Sequence, residues 1–254
     1  MMPVMTIALA SFREAIRAKI LYTFLLFALI MMAFSRVLES TVMAERAKMV
    51  KDIGLGAISL IGIFIAITVG ANVFFKELKR LSSYSLFSKP VSKGQILLGK
   101  YVGAVFAIGV TIVFMGSILL LNTAAVTRKV DPHLLVGVGS IFMELAVIAA
   151  FALFFAVFGS PVLSGILTGG VYVLGHMVAF FRPVLEAFFP GYPPLLNIVF
   201  LCVPDLERFN LKANAVYHDL PSGQHLVILL AYGVTYIVAA LFAAWLLLRK
   251  KDIK

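Results

Sequence analysis

This 254-residue sequence has little charge: Asp, Glu, Lys and Arg make up 13% of it, where soluble domains carry about 25%. It has one cysteine, Cys202, which excludes an intrachain disulfide and a zinc site built from several thiolates. No low-complexity tract, internal repeat or soluble domain stands out. What is abundant is apolar: 62% of residues are hydrophobic, and the mean hydropathy is +1.04. That balance describes a membrane protein. The formal charge of +10 does not point to nucleic acid, because the basic residues flank apolar runs instead of forming a basic face with polar or aromatic readers.

The spans follow from the length of uncharged runs, since about 20 apolar residues at 1.5 Å each cross a core of ~30 Å. Residues 20–38, 53–75, 101–121, 136–158, 161–181 and 226–248 are the six expected spans. The fourth and fifth come from one stretch without Asp, Glu, Lys or Arg, residues 145–181, too long for a single helix. Gly159-Ser160-Pro161 is its natural break, since proline cannot continue a helix and glycine permits the turn. The expected fold is thus an all-α polytopic membrane protein with a single transmembrane domain. With both termini inside, the cytoplasmic segments carry a net charge of +10 and the outer loops +1, so the excess of Lys and Arg favours that orientation. Trp245, near the cytoplasmic end of the last span, suits an interfacial belt.

Residues 5–19 read as an amphipathic helix in the membrane surface: Met5, Leu9, Phe12, Ile16 and Ile20 form a stripe, with Arg13, Glu14 and Arg17 off it. The helix serves either as an interfacial anchor or as a contact for a cytoplasmic partner. No cleavage pattern follows the first apolar run, so a retained first span is expected.

Residues 92–101, SKGQILLGKY, place Gly94 and Gly99-Lys100 at the spacing of a phosphate-binding P-loop. Tyr101 stands where that loop needs Ser or Thr for magnesium, and Ile96, Leu97 and Leu98 lie between the glycines, so nucleotide binding is not expected here. Instead Ser92 reads as an N-cap with Gln95 at the capping-box position. Gly99 and Lys100 then lie on a helix, where Gly99 lets another element approach and Lys100 reaches for the cytoplasmic surface. Upstream, Phe74, Leu78 and Leu81 share a helical face largely opposite Lys76, Lys79 and Arg80, Glu77 is spaced to pair with Arg80, and Lys89-Pro90 ends that helix.

The run E-L-K-R-x5-L-F-S-K-P-V-S-K-x3-L-L-G-K-Y-V-G resembles the cytoplasmic loop of ATP-binding-cassette type 2 permeases, particularly the nitrous-oxide-reductase maturation and gliding-motility subgroup. The opening S-F-R-E-A-I-R-A-K-I-L-Y resembles that family's elbow helix, and V-P-D-L-E-R-F-N-L its extracytoplasmic segment. The resemblance implies the permease subunit of an exporter, in a cell membrane, itself not an enzyme. It also implies a second permease subunit, identical or not, and a separate ATPase that holds ATP and magnesium. The cytoplasmic loop, residues 76–100, would couple to that ATPase through Glu77, Arg80, Lys89, Pro90, Lys93, Gly99 and Lys100. The alternative is that these lysines only enforce topology.

Within the spans, Glu144 is costly to bury and marks either the substrate route or a bond to a neighbouring helix or outer basic group. His176 reads as a hydrogen-bonded buried histidine more readily than as a metal or proton site. Gly165, Gly169, Gly170 and Gly175 permit close packing, at a subunit interface or within the chain. Residues 182–224 should form short helices on or dipping into the outer surface, with Cys202 as a buried filler. The rival classes are a membrane-embedded enzyme, such as a lipid transferase or intramembrane hydrolase, and a passive channel or scaffold. No catalytic, cofactor-binding or metal-ligand spacing is visible in the sequence.

Overall fold

The computed structural model describes residues 2–17, 43–83, 92–158, 160–188 and 200–250, with a few helical residues between 26 and 33. For 2, 3, 14–17, 43, 44, 46 and 73–83 it describes the backbone only. The described residues are predominantly helical, with no strand among them. The helices are α1 (Met2–Arg17), α2 (Met43–Ser83), α3 (Lys93–Thr127), α4 (His133–Ala156), α5 (Pro161–Phe188), a 3-10 turn (Leu206–Phe209), α6 (Lys212–Tyr217) and α7 (Gly223–Lys250). Five helices, α2 through its segment Ala47–Asn72 and α3, α4, α5 and α7 over their full lengths, are long and apolar enough to cross a membrane. Even the shortest, α4 with 24 residues, exceeds a ~30 Å core at 1.5 Å per residue. Most of residues 20–38, the expected first span, lies outside the described residues, although Phe27 and Met31 are fully buried there and the Met31 carbonyl accepts from Asn122 Nδ2 at 3.4 Å.

The bundle is organised around α4, whose residues Leu145 to Ala150 are all buried. A helix apolar on every side is expected at the centre of its neighbours, and α4 touches α2, α3, α5, α6 and α7. Its hairpin to α5 turns where the sequence breaks. Ser160 Oγ accepts the Leu163 N–H at 3.0 Å, Pro161 opens the next helix, and buried Ser164 donates back to the Ala152 carbonyl at 2.7 Å. The helix α5 runs past residue 181, with Pro183 inside it and Arg182 paired to Glu186 one turn on at 3.0 Å. The segment that follows α5 therefore begins later than residue 182. Similarly, residues 76–83 continue α2 without a break from the apolar stretch.

The capping box at the start of α3 is complete: Ser92 Oγ accepts from Gln95 N at 3.3 Å, and Gln95 Oε1 accepts from Ser92 N at 3.2 Å. The helix α1 lies across the first turns of α3. A Cβ built on Gly99 would sit 2.9 Å from the Ile7 side chain, and one on Gly103 would sit 2.6 Å from the Ala8 carbonyl oxygen and 2.7 Å from Ser11 Cβ. Only glycine permits that approach of two backbones. This helix is accordingly packed on the bundle through Ala8 and Ser11, both buried, while Met5 and Leu9 stay exposed.

Candidate functional site

Among the described residues, two polar clusters interrupt the apolar packing, one at the turn between α3 and α4 and one about midway along α4. The deeper one brings Glu144 of α4 against His176 of α5. Their Oε1 and Nε2 atoms are 3.4 Å apart, with Glu144 fully buried. His176 Nδ1 lies 3.1 Å from the Tyr172 carbonyl, an acceptor only, so this nitrogen carries the proton. Nε2 and the carboxylate then face each other. Among the described residues, neither Glu144 oxygen nor His176 Nε2 makes a hydrogen bond. Two lone-pair-bearing atoms in that position need one shared proton, a cation or a polar guest between them. Lys212 of α6 is the positive charge that acts on Glu144, and Glu207 opposes it. Lys212 Nζ also donates to Ser59 Oγ of α2 at 3.4 Å, and the Tyr172 side chain interacts with Ser59. Four helices thus contribute to one buried polar patch.

The lid over this patch is the segment V-P-D-L-E-R-F-N-L. Gly175 of α5 makes room for it: a Cβ there would meet the Pro204 carbonyl oxygen and the Leu206 side chain, each at 2.7 Å. Asp205 N donates to the Tyr232 hydroxyl of α7 at 2.7 Å, and Arg208 pairs with Asp205 at 3.0 Å while lying 4.9 Å over the Tyr232 ring. Leu206 and Phe209 are fully buried. Short helices do form in this region, but Cys202 is exposed on it, not a filler. It lies just ahead of the buried turn, on a stretch that includes exposed Leu201.

The second cluster sits at the rim. Asp131 Oδ2 accepts from Lys51 of α2 and lies 2.8 Å from His218 Nε2, while Asp131 Oδ1 lies 2.9 Å from His133 Nδ1 and accepts the His133 backbone N–H at 3.1 Å. The two imidazoles stack at 4.5 Å. Burial alone raises the Asp131 pKa, but hydrogen bonds from Lys51, His218 and His133 outweigh it and hold the carboxyl well below the usual carboxylate range. His218 ends α6 in the left-handed conformation, φ 61°, which turns its ring back toward Asp131.

The residues expected to couple to a partner fall elsewhere. Glu77 and Arg80 lie on the terminal turns of α2, and Lys89 and Pro90 lie outside the described residues. Lys93 opens α3 and donates to the Leu248 carbonyl of α7 at 3.1 Å. Lys100 is buried and not at the surface, because α1 covers this stretch of α3. Of the elbow residues, Arg13 is exposed on α1, and for Glu14 and Arg17 only the helical backbone is described. Among the α5 glycines, Gly175 is the one used for close approach; Gly169 and Gly170 face open space. Sequence reasoning singled out Glu144 and His176 separately and missed their pairing. It missed the rim cluster altogether, although Asp131-x-His133 is a local signal for a carboxylate and an imidazole at one helix start. No protein-family model matches the chain, and no curated protein matches it.

Proposed function

We propose that this chain is the permease subunit of an ATP-binding-cassette exporter, in which a separate ATPase hydrolyses ATP and this subunit turns the partner's motion into alternating exposure of a membrane route. The reading takes residues 20–38 as a sixth span and both termini as cytoplasmic, in an inner or plasma membrane. It also takes a second permease subunit as completing the pathway. The observation that supports it best is the docking of α1 onto the first turns of α3 through Gly99 and Gly103. That contact ties an amphipathic surface helix to the span that follows the 76–100 loop. A push on the loop then moves α3 and α1 together, as a coupling device requires. The buried patch of Glu144, His176, Ser59 and Lys212 supplies polar groups at the other end, where a substrate route would open.

That patch is also the observation favouring a membrane-embedded hydrolase. Its geometry argues against one. Among the described residues no serine, threonine or cysteine hydrogen-bonds to His176 Nε2, so no nucleophile is paired with that base.

The test is charge reversal in the coupling segment. Glu77→Lys is expected to leave the chain inserted but to release the ATPase or uncouple its hydrolysis, since losing one partner of a buried interface charge pair costs about 2–5 kcal/mol. Pro90→Ala should act the same way more mildly, by letting two helices fuse. Co-purification of the ATPase with tagged permease, with hydrolysis and transport in vesicles, measures both. Wild-type partner binding and transport in both variants would reduce this loop to a topology anchor.

A further inference from the structure

The rim cluster has the composition of a metal site. Asp131, His133 and His218 each offer one ligand atom, and these atoms lie within 4.8 Å of one another. They come from the α3–α4 turn, the start of α4 and the end of α6, so the fold itself assembles them. Asp131 is mostly buried, which fixes the carboxylate, whereas the side chains of His133 and His218 are 36% and 52% exposed, which leaves the site open to solvent. A cation already sits in it: the Lys51 ammonium holds Asp131 Oδ2 and lies 3.4 Å from His218 Nε2.

The geometry points to a divalent transition-metal site formed by Asp131, His133 and His218, in which Lys51 occupies the cation position when no ion is bound. Two imidazoles and one carboxylate suit zinc and its first-row neighbours; magnesium and calcium prefer all-oxygen sets. Three protein ligands leave a fourth position to water. Binding requires that His218 present Nε2 and His133 present Nδ1 without a proton, each ring then carrying its proton on its other nitrogen. Lys51 leaves with its proton and swings to solvent. Its departure unpins α2 from the α3–α4 turn, so occupancy of the site alters how α2 is held at this end.

The experiment uses the full chain purified in detergent with a tag that contains no histidine. Zinc ion alone is titrated by calorimetry, and cobalt ion serves as a visible-absorption probe of the ligand set. One zinc per chain is expected at micromolar ion, unchanged in His225→Gln, whose exposed histidine lies outside the cluster. Binding should be lost in the His133→Gln, His218→Gln double variant. Because both rings are substantially exposed, that variant should melt close to the wild type, which separates loss of ligands from loss of fold. Lys51→Met removes the competing ammonium and its repulsion of the ion, and should tighten zinc by about tenfold or more. The proposal is overturned if the wild-type chain binds no zinc saturably, if the double variant retains binding, or if Lys51→Met weakens it.

Discussion

The two ends of this helical bundle are held together by different chemistry. At the Ser92 end, α1 reaches α3 through backbone contact over Gly99 and Gly103, and Trp245 of α7 packs over Gly94 with its ring atoms 3.2 Å from where a Cβ would be. At the Asp131 end, α2, α4 and α6 meet through an aspartate, a lysine and two histidines, with the Glu144–His176 pair beneath them. The first kind of joint depends on shape and tolerates no added atoms. The second depends on charge balance and tolerates changes of size better than changes of charge.

Breaking the charged joint should have the largest effect. Asp131→Ala leaves Lys51, 8% exposed in its side chain, without its counter-charge, and removing one partner of a buried pair costs about 3–5 kcal/mol. Denaturation in a detergent series should show a loss of that size, and a loss below ~1 kcal/mol would mean that solvent already screens the pair. The shape-dependent joint comes next. Gly103→Leu forces a side chain against the Ala8 carbonyl, a backbone atom that cannot swing aside, so overpacking should cost about 1–3 kcal/mol and lift α1 from the bundle. Faster proteolysis within α1 is the readout, and an unchanged cleavage rate would show that α1 is not held there.

A smaller effect is expected from the α3 cap. Ser92→Ala removes the acceptor for Gln95 N and should cost about 1 kcal/mol, while Ser92→Thr restores most of it. Thermal melting of the three proteins ranks them. The smallest effect sharpens the comparison by contrast. Gly169→Leu places its side chain in open space on α5 and should stay within about 0.5 kcal/mol of wild type in the isolated chain. If the same variant instead lowers self-association in cross-linking, that face packs against a second copy.

Much of the helical layout is readable along the chain. Ser92 and Gln95 announce the start of α3 three residues apart, and Ser160-Pro161 announces α5, because caps act within one turn. The stripe of Phe74, Leu78 and Leu81 made the helix through residue 83 readable, whereas the continuation of α5 through Pro183 was less so, since a helix does not stop where its apolar run stops. The polar site was readable only in parts. Glu144 stood out as an acid in an apolar run, but its partner lies on the next helix, and only the height and rotation of α5 against α4 decide that His176 faces it. The rim cluster is harder still: Lys51 and His218 lie 80 and 87 residues from the aspartate they share.

Run length and capping are local properties, so the amino-acid order alone dictates helices of membrane length and their starts. Which faces meet is not local. Gly99 and Gly103 are two of 19 glycines, and nothing in their immediate sequence distinguishes them from Gly169 and Gly170, which face open space. The folded arrangement selects among them, because close backbone approach and the pairing of buried polar groups depend on helix rotation and offset summed over every neighbour at once.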